Sequence, residues 1–237
     1  LPTAAQHLHK GEASLNQSGA PADLLSLAQI KFELGSVAAQ LGDLQEAVAL
    51  YRESLDIAEE VPGEAAVPQQ ILAYNNIGYH LHLLGDPAAA DYARRGLALA
   101  QEKGVLLLQP FLFSTLGEIA LTAGDLDSAE RYFGEGLALA ERLDIPERIA
   151  GLTANSGRLA VARGQTELAI HRLSTALARA DSLGTHHLAT QIRIWLVPLL
   201  PAAEARAALA EARTFAKSSG RKRLLTEIVQ VEKSMRL

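Results

Sequence analysis

The sequence contains no cysteine, one methionine and one tryptophan, and aromatic residues make up only 5% of its 237 residues. Without cysteine the chain can form neither a disulfide framework nor a thiolate metal site. Such a composition is compatible with the reducing interior of a cell. We therefore expect a cytoplasmic protein.

The chain also lacks a basic excess and a long apolar run. Lysine and arginine number 22 against 27 acidic residues, which gives a net charge of -5. Nothing in this balance would neutralise a phosphate backbone, so we expect no direct contact with nucleic acid. The longest apolar stretches, Val105 to Leu108 and Ile194 to Leu200, are far shorter than the roughly 18 residues that a membrane helix needs. We expect no membrane contact either.

Alanine and leucine are what the sequence has in excess. Together they account for 83 of the 237 residues, whereas valine and isoleucine supply only 20. Alanine and leucine lose little on entering a helix, while strands draw on β-branched and aromatic residues. The composition therefore predicts an all-α protein.

Four copies of one pattern follow one another at a spacing of about 40 residues. Each copy contains a Gly-Asp pair, or Gly-Gln in the last: Gly42-Asp43, Gly85-Asp86, Gly124-Asp125 and Gly164-Gln165. An earlier glycine stands seven residues before each pair: Gly35, Gly78, Gly117 and Gly157. A small residue follows each pair: Ala47, Ala89, Ala129 and Ala169. Agreement in so many columns identifies a repeat architecture.

Each repeat is predicted to form two antiparallel helices, because apolar residues recur at three-and-four spacing on both sides of the Gly-Asp pair. The glycine is expected to end the first helix in a left-handed conformation, and the aspartate to cap the second. Pro87 would then occupy the first helical position of its repeat. The small alanines let the two helices approach closely. A bulkier side chain at Ala129 should overpack this seam by about 1 to 3 kcal/mol.

These columns resemble the tetratricopeptide repeat. In that pattern a large apolar residue precedes the glycine, a small residue follows about twelve positions later, and an aromatic residue or leucine comes four positions after that. The resemblance is clear from Ala22 to Leu183. Two departures are a period near 40 instead of the commoner 34 and Ser156 in place of a large apolar residue. The resemblance implies a right-handed superhelical solenoid of about five helix hairpins with terminal helices, similar to the helical-repeat regions of bacterial signalling and transcriptional regulators.

The repeat register divides the chain into four parts. We expect residues 1–20 to end a preceding hairpin, 21–184 to form four hairpins, 185–219 a degenerate fifth hairpin interrupted near Pro198, and 220–237 a C-terminal capping helix. The first part indicates a piece of a longer solenoid. The last part places Leu224, Leu225, Ile228, Val231 and Met235 on one face, which would shield the final hairpin. The basic run Arg221-Lys222-Arg223 at the start of this helix is expected to be a solvated helix end.

No group of residues in the sequence predicts catalysis or metal binding. His80 and His82 lie two apart on a predicted helix and so point to different faces, and the adjacent His186 and His187 cannot both face one ion. There is no Gly-rich phosphate loop, nucleophile elbow or paired-carboxylate signature. We expect no enzyme, no metal site and no cofactor.

The function is expected to lie on the surface that the repeats build. In proteins that this chain resembles, the first helix of each hairpin lines a concave face that binds partners. Carrying those positions over gives a candidate groove of Phe32, Asn75, Asn76, Tyr79, His82, Phe111, Thr115, Glu118, Asn155, Arg158 and Gln191. Leu121 and Val161 continue the same helix faces.

Two readings remain open for several groove residues. The amides of Asn76 and Asn155 could pair with a peptide backbone, or they could cap or bridge neighbouring helices. Phe111 could contact a partner or pack into the next hairpin. A groove of the kind that holds a carboxylate terminus with lysines and arginines is not expected, because Phe32, Ser36 and Ser114 occupy the matching positions.

Three functions are compatible with this sequence. The leading hypothesis is a non-catalytic protein-interaction scaffold, the repeat segment of a larger bacterial regulatory protein, with a peptide or partner domain on its concave face. The alternative is a domain of a transcriptional regulator that senses a small effector or a signalling peptide. The third is a structural module that acts through self-association.

Overall fold

The computed structural model describes residues 2–15 and 21–235, and every regular element within these ranges is a helix. The predicted all-α class is confirmed. None of the described helices is long and apolar enough to cross a membrane. Residues 1 and 16–20 of the expected first part, and 236–237 of the last, lie outside the described residues.

The chain forms two compact units, Leu1–Thr115 and Leu116–Leu237. The first unit contains α1 (Pro2–Leu15), α2 (Pro21–Leu41), α3 (Leu44–Glu60), α4 (Val67–Leu84), α5 (Ala89–Glu102), a 3-10 turn (Leu106–Leu108) and the start of α6 (Gln109–Thr122). Sequential helices in this unit pack against each other, and α2 also contacts α4. The first helices of neighbouring hairpins in this unit are therefore adjacent.

The second unit contains the later hairpin helices and a final helix. It contains the end of α6, then α7 (Leu126–Arg142), α8 (Pro146–Ala162), α9 (Thr166–Ser182), α10 (His186–Leu196), a 3-10 turn (Val197–Leu199), α11 (Ala202–Ser218) and α12 (Lys222–Met235). Here α10 contacts α8 on one side and α12 on the other. The layer of first helices therefore ends with α12.

The turns inside the hairpins follow the predicted chemistry. Gly124 has φ 78°, and the next amide, that of Asp125, donates to the Ala120 carbonyl at 3.0 Å. This i to i-5 bond closes the end of a helix when its last residue is left-handed. The Asp125 side chain then accepts from the Ser128 amide at 3.1 Å and caps α7. The left-handed glycine predicted for each repeat is confirmed, since Gly42, Gly85 and Gly164 also have positive φ.

The turn of the second repeat differs from the prediction. Pro87 is not the first residue of a helix, because α5 begins only at Ala89. The Asp86 carboxylate accepts from the Ala88 amide at 2.8 Å, two residues away. That bond makes an Asx-type turn, which holds Pro87 and Ala88 outside the helix. This repeat is one residue shorter than the others, since Ala89 follows Gly85 by four residues where Ala129 follows Gly124 by five. The turn accommodates that difference.

In three of the four repeats the seam of the hairpin is a contact between a glycine and a large side chain, whereas Gly78 of the second repeat faces Ala93. A Cβ added to Gly117 would lie 2.3 Å from a ring carbon of Phe133, and one added to Gly157 would lie 2.7 Å from Leu173. The alanine of the next helix is fully buried, as at Ala129 and Ala169. The small residues thus allow the close helix approach that the sequence predicts.

The fifth hairpin is interrupted at the expected place. Helix α10 ends at Leu196, and a 3-10 turn containing Pro198 follows. Leu200 is extended, with φ -99° and ψ 153°, and Pro201 precedes α11. A proline without an N–H cannot continue the helical hydrogen-bond ladder, so the chain leaves α10 earlier than in the other repeats.

Helix α12 completes the core of the second unit. Leu224 and Ile228 are 1% and 0% exposed, and they pack with Ile194, Val197 and Leu209 of the fifth hairpin. Leu225, Val231 and Met235 pack at the margin of this cluster. The apolar side of the last hairpin is therefore covered by the same chain.

Candidate functional site

Seven of the candidate groove residues belong to the first unit, and all lie on first helices of hairpins. Thr115 is buried, and the others are half-buried: Phe32, Asn75, Asn76, Tyr79, His82 and Phe111. None of the seven is fully exposed. A binding face built from them would expose only part of each side chain.

The aromatic groups of the first unit mainly contact other parts of the same repeats. The ring of Phe32 lies 5.1 Å from that of Tyr51, and the ring of Tyr79 meets His80 edge-on at 5.2 Å. Tyr51 also stacks obliquely on His80. This aromatic cluster packs α2 and α4 around the second helix α3.

The amides of α4 have different partners. The Asn76 side chain donates to the Leu72 carbonyl of its own helix at 3.0 Å. The Thr115 hydroxyl donates to Asn75 Oδ1 at 2.9 Å, which joins α6 to α4. Asn75 therefore bridges two first helices, whereas the Asn76 side chain bonds within its own helix. Their role toward a partner stays a prediction.

In the second unit, Glu118 is the centre of a polar network between α6 and α8. Its carboxylate accepts from Arg158 Nη1 at 2.8 Å and from Asn155 Nδ2 at 3.2 Å. Arg158 Nη1 also donates to Asn155 Oδ1 at 3.1 Å. The structure thus brings together three of the predicted groove residues.

This network is partly shielded from water. The Glu118 and Arg158 side chains are 16% and 24% exposed, and Asn155 is 3% exposed. Hydrogen bonds between charged groups are stronger than neutral ones, and partial burial reduces their screening. Of the two readings left open for Asn155, bridging between helices is the one that its geometry displays.

Arg158 also stacks on a residue of α10. Its guanidinium carbon lies 4.5 Å from the centre of the Trp195 ring, a distance typical of cation–π contacts. Further along this layer, Gln191 donates to Glu227 of α12 at 2.6 Å, and Arg223 donates to the same carboxylate at 3.0 Å. Polar links therefore connect α6, α8, α10 and α12 in sequence.

A cleft of about 470 Å³ opens beside this network, and we call it the Trp195 cleft. Its apolar walls are Leu121, Val161, Ile194, Trp195, Pro198 and Val231. Its polar lining is Thr122, Arg158, Glu227 and Gln230. Mainly apolar walls with a few polar groups, at this volume, are typical of sites that bind small molecules or side chains.

The sequence did not single out Trp195 or the α12 residues of this cleft. Trp195 lies four residues after Gln191, so a helical-face argument could have extended the groove to it. The contribution of Glu227, Gln230 and Val231 depends on how α12 docks against α10, which no local pattern specifies. Leu121 and Val161, in contrast, do line the cleft, on the helix faces carried over from the resemblance.

The described ranges hold no group of three histidine, aspartate or glutamate side chains that could bind a metal ion. Within α4, His80 Nδ1 lies 2.7 Å from the Asn76 carbonyl, so that ring bonds to its own helix. The carboxylates of the candidate face, Glu118 and Glu227, are each bonded to an arginine. Such an arrangement can orient side chains and bind a partner.

Comparison with known families agrees with this architecture. A model of the tetratricopeptide repeat matches residues 26–102. The hairpins within those residues are therefore similar to the tetratricopeptide repeat. A comparison with curated proteins finds no match.

Several solved structures share the fold of these repeats over almost the whole chain. A Rap conjugation gene regulator of plasmid pLS20, in complex with the Phr* peptide, has a TM-score of 0.74 and 17% identity, and the match covers 97% of this chain and 69% of that one. A Rap protein complexed with Competence and Sporulation Factor gives 0.71 and 14%, with coverages of 98% and 70%. BtubC from P. vanneervenii gives 0.65 and 19%, with coverages of 99% and 90%.

At these low sequence identities, the structural similarity establishes only that this chain shares the helical-repeat fold of those proteins. Tetratricopeptide-like helical repeats generally serve protein interaction. Two of the similar structures are complexes with a peptide or a signalling factor, which is a property of those proteins.

Proposed function

We propose that this chain is a non-catalytic protein-interaction module, the repeat segment of a larger bacterial regulatory or signalling protein in the cytoplasm. It binds a peptide or a partner domain on the face formed by its first helices. The observation that carries the proposal is the Trp195 cleft, an open apolar site beside a polar network on that face.

The lining of this cleft suits an extended or helical segment with one or two apolar anchors. Val161 is 42% exposed at the cleft, and the Trp195 ring is held by Arg158. Aromatic and arginine side chains in such positions dominate the binding energy of many interfaces. Thr122 and Gln230 supply a hydroxyl and an amide that can pair with the backbone of a bound segment.

The polar groups of this face support a binding role over a catalytic one. Glu118 is bonded to Arg158 and Asn155, and Glu227 to Arg223 and Gln191. Both carboxylates are therefore engaged by neighbouring side chains, and they orient the groups around the cleft. The groove residues thus position one another and shape a surface.

A sensor of a signalling peptide or small effector, within a transcriptional regulator, is the second candidate. The cleft volume of about 470 Å³ falls within the range of small-ligand sites. The complex of a similar Rap regulator with the Phr* peptide favours a peptide as the sensed molecule. The sensor differs from the interaction module in two respects: its ligand is smaller, and binding of that ligand changes the neighbouring domains.

A peptide-selection experiment tests the proposal. Random linear peptides are selected by display on the purified protein, and the selected sequences are measured by isothermal titration. Val161→Glu places a charge in the Trp195 cleft, and Val229→Glu is the matched control, because Val229 is 43% exposed on α12 and does not line the cleft. We expect the first variant to weaken binding by about tenfold or more, since a desolvated charge opposes an apolar anchor.

The two variants should differ in peptide binding but not in folding. Both variants replace a surface valine, so both should retain the helical circular dichroism and the melting temperature of the original chain. Equal binding by the two variants would place the partner site elsewhere. Binding of small metabolites but no peptide at the same cleft would favour the sensor.

A further inference from the structure

A second cleft in the same unit has a different chemical character. It encloses about 430 Å³ where α8 and α10 begin, α11 ends and α12 begins. Arg148, Arg221, His186 and His187 supply basic or polar groups, while Leu188 and Phe215 supply apolar surface. We call it the Arg221 cleft. It borders the N-terminal ends of α8 and α10, whereas the Trp195 cleft borders their C-terminal ends.

Arg221 carries a buried donor that lacks a partner in the part of the chain that the structure describes. Its Nε is buried and has no hydrogen-bond partner. Burial lowers the pKa of Arg221, and no carboxylate acts in the opposite direction. By contrast, Arg223 donates to Glu227, and Arg193 contacts both Asp181 and Glu211. A buried donor without a partner lowers the stability of the fold, so a ligand that supplies an acceptor to this guanidinium should bind favourably.

The position of Arg221 in the chain adds to this imbalance. It immediately precedes α12, and Lys222 and Arg223 follow in the first turn of that helix. Cations at a helix N-terminus are disfavoured because that end carries the positive pole of the helix dipole. At α10, Thr185 makes no cap to the first turn, and its hydroxyl instead donates to the Ala180 carbonyl at 2.9 Å. An anion in the cleft would balance the cations at the start of α12, and it could accept hydrogen bonds from the uncapped first turn of α10.

Arg148 contributes a second guanidinium to the lining of the cleft. Burial lowers the pKa of Arg148, while Glu147 and then Glu118 act to raise it. An arginine stays protonated despite such a shift. The cleft lining includes a single carboxylate, that of the exposed Glu147. Two arginines against one carboxylate leave the lining positive before any histidine is protonated.

Partial desolvation, followed by the charges of Arg221 and Arg223, lowers the pKa of His187. The ring is therefore neutral near pH 7 and available as a hydrogen-bond donor and acceptor. His186 stacks obliquely on Phe215 at 6.1 Å between ring centres. The two rings form an aromatic wall next to the cationic groups.

We propose that the Arg221 cleft binds a small organic anion, whose carboxylate or phosphate pairs with Arg221 and Arg148 and whose apolar body lies against Leu188 and Phe215. Guanidinium groups match the geometry of both oxyanions. The cleft volume suits a molecule of metabolite size. This site is separate from the face in the proposed function, and either can exist without the other.

Isothermal titration at constant ionic strength tests this site. The probes are benzoate and phenyl phosphate, which join an oxyanion to an apolar ring, with acetate and inorganic phosphate as ring-free comparisons. Arg221→Met removes the charge and keeps an unbranched, mainly apolar stem. Arg206→Met is the matched control, because Arg206 is exposed on α11 and does not line the cleft.

We expect saturable binding of at least one ring-bearing probe. Arg221→Met should weaken it by about tenfold or more, and Arg206→Met should leave it unchanged, because only the former removes a charge-assisted hydrogen bond. Tighter binding of benzoate or of phenyl phosphate then identifies the oxyanion. Ring-free probes should bind more weakly, since they cannot contact Leu188 and Phe215.

Two results would overturn the site. One is no saturable binding of either ring-bearing probe by the original chain. The other is equal affinity in the original chain and in Arg221→Met. If Arg221→Met loses helical signal, Arg148→Met and Arg221→Lys take its place, and unchanged affinity in both would refute the proposal. Val161→Glu should leave anion binding intact, which separates this result from that of the Trp195 cleft.

Discussion

Replacing glycine by alanine should have opposite effects at two positions in adjacent helices. Gly134 lies in α7 and is exposed, and a Cβ there would meet nothing within 4 Å. Gly117 lies in α6 and is buried, and a Cβ there would stand 2.3 Å and 2.5 Å from two ring carbons of Phe133. The same chemical change therefore meets open space in one helix and an aromatic ring in the other.

The magnitudes follow from helix propensity and overpacking. Alanine stabilises a helix interior by about 0.5 to 1 kcal/mol relative to glycine, so Gly134→Ala should raise the free energy of unfolding by that amount. At Gly117 the same gain is opposed by a contact more than about 1 Å shorter than carbon atoms prefer. Phe133 is 1% exposed and enclosed by Leu152 and Leu159, so it cannot move without disturbing the core. Overpacking near the upper end of about 1 to 3 kcal/mol gives a net loss of about 1 to 2 kcal/mol.

Urea denaturation of the two variants and the original chain measures this difference. Circular dichroism follows all helices, while fluorescence of the single tryptophan, Trp195, follows the unit that contains both glycines. A local probe is useful because repeat arrays can unfold in more than one step. A Gly117→Ala variant as stable as the original chain would show that the hairpin seam has room, and the argument from the repeat columns would be wrong.

Two further expectations concern the seam and the aromatic cluster. Ala129→Leu should lower the free energy of unfolding by about 1 to 3 kcal/mol, because Ala129 is fully buried. Glu130→Ala removes only a solvent-exposed ion pair with Arg163, and such pairs contribute little to stability. Equal losses in urea denaturation would contradict the register. Burial raises the pKa of Tyr51 to about 12 from an ordinary value of 10.0, against the opposing effect of its bond to Ser36. Because the folded state disfavours tyrosinate, stability should be present below about pH 10 and decline as pH rises toward 12. An absorbance titration should show this late ionisation and Tyr51→Phe should remove it, while ionisation of every tyrosine near pH 10 would refute it.

The hairpin fold could be predicted from the sequence because its requirements are local. A left-handed glycine, a capping aspartate and a small residue at the seam each depend on a few neighbours in the chain. Gly124, Asp125 and Ala129 therefore occupy the predicted conformations. Pro87 departs from the prediction because Asp86 has a competing bond, to the amide two residues away, that the repeat pattern does not encode.

The sequence could predict which helix positions form the candidate face, but it could not predict which side chains bond to each other there. The repeat register places Glu118, Asn155 and Arg158 on first helices, and they do meet. Which groups pair and which remain open depends on side-chain packing between helices about 40 residues apart in sequence. Trp195 illustrates this, because it becomes a cleft wall only through its contact with Arg158.

The basic run before α12 is the clearest difference between pattern and structure. A solvated helix end was expected, yet only Lys222 is fully exposed, while Arg221 and Arg223 are half-buried. The cause is the docking of α12, whose Leu224 and Ile228 enter the core of the fifth hairpin and draw the preceding residues inward. Charge runs are usually solvated, and here tertiary packing overrides that tendency.

The covering of the last hairpin by α12 has a consequence for assembly. Stacked repeats interact through one geometry, in which each hairpin offers an apolar side to the next, so an uncovered side is complementary to the other end of an identical molecule. Contacts of this head-to-tail kind do not close on themselves and generate open filaments. By occupying the side that contains Ile194, Val197 and Leu209, α12 withdraws that surface from such growth. A helix that contributes two buried residues to stability thereby also limits the length of the particle.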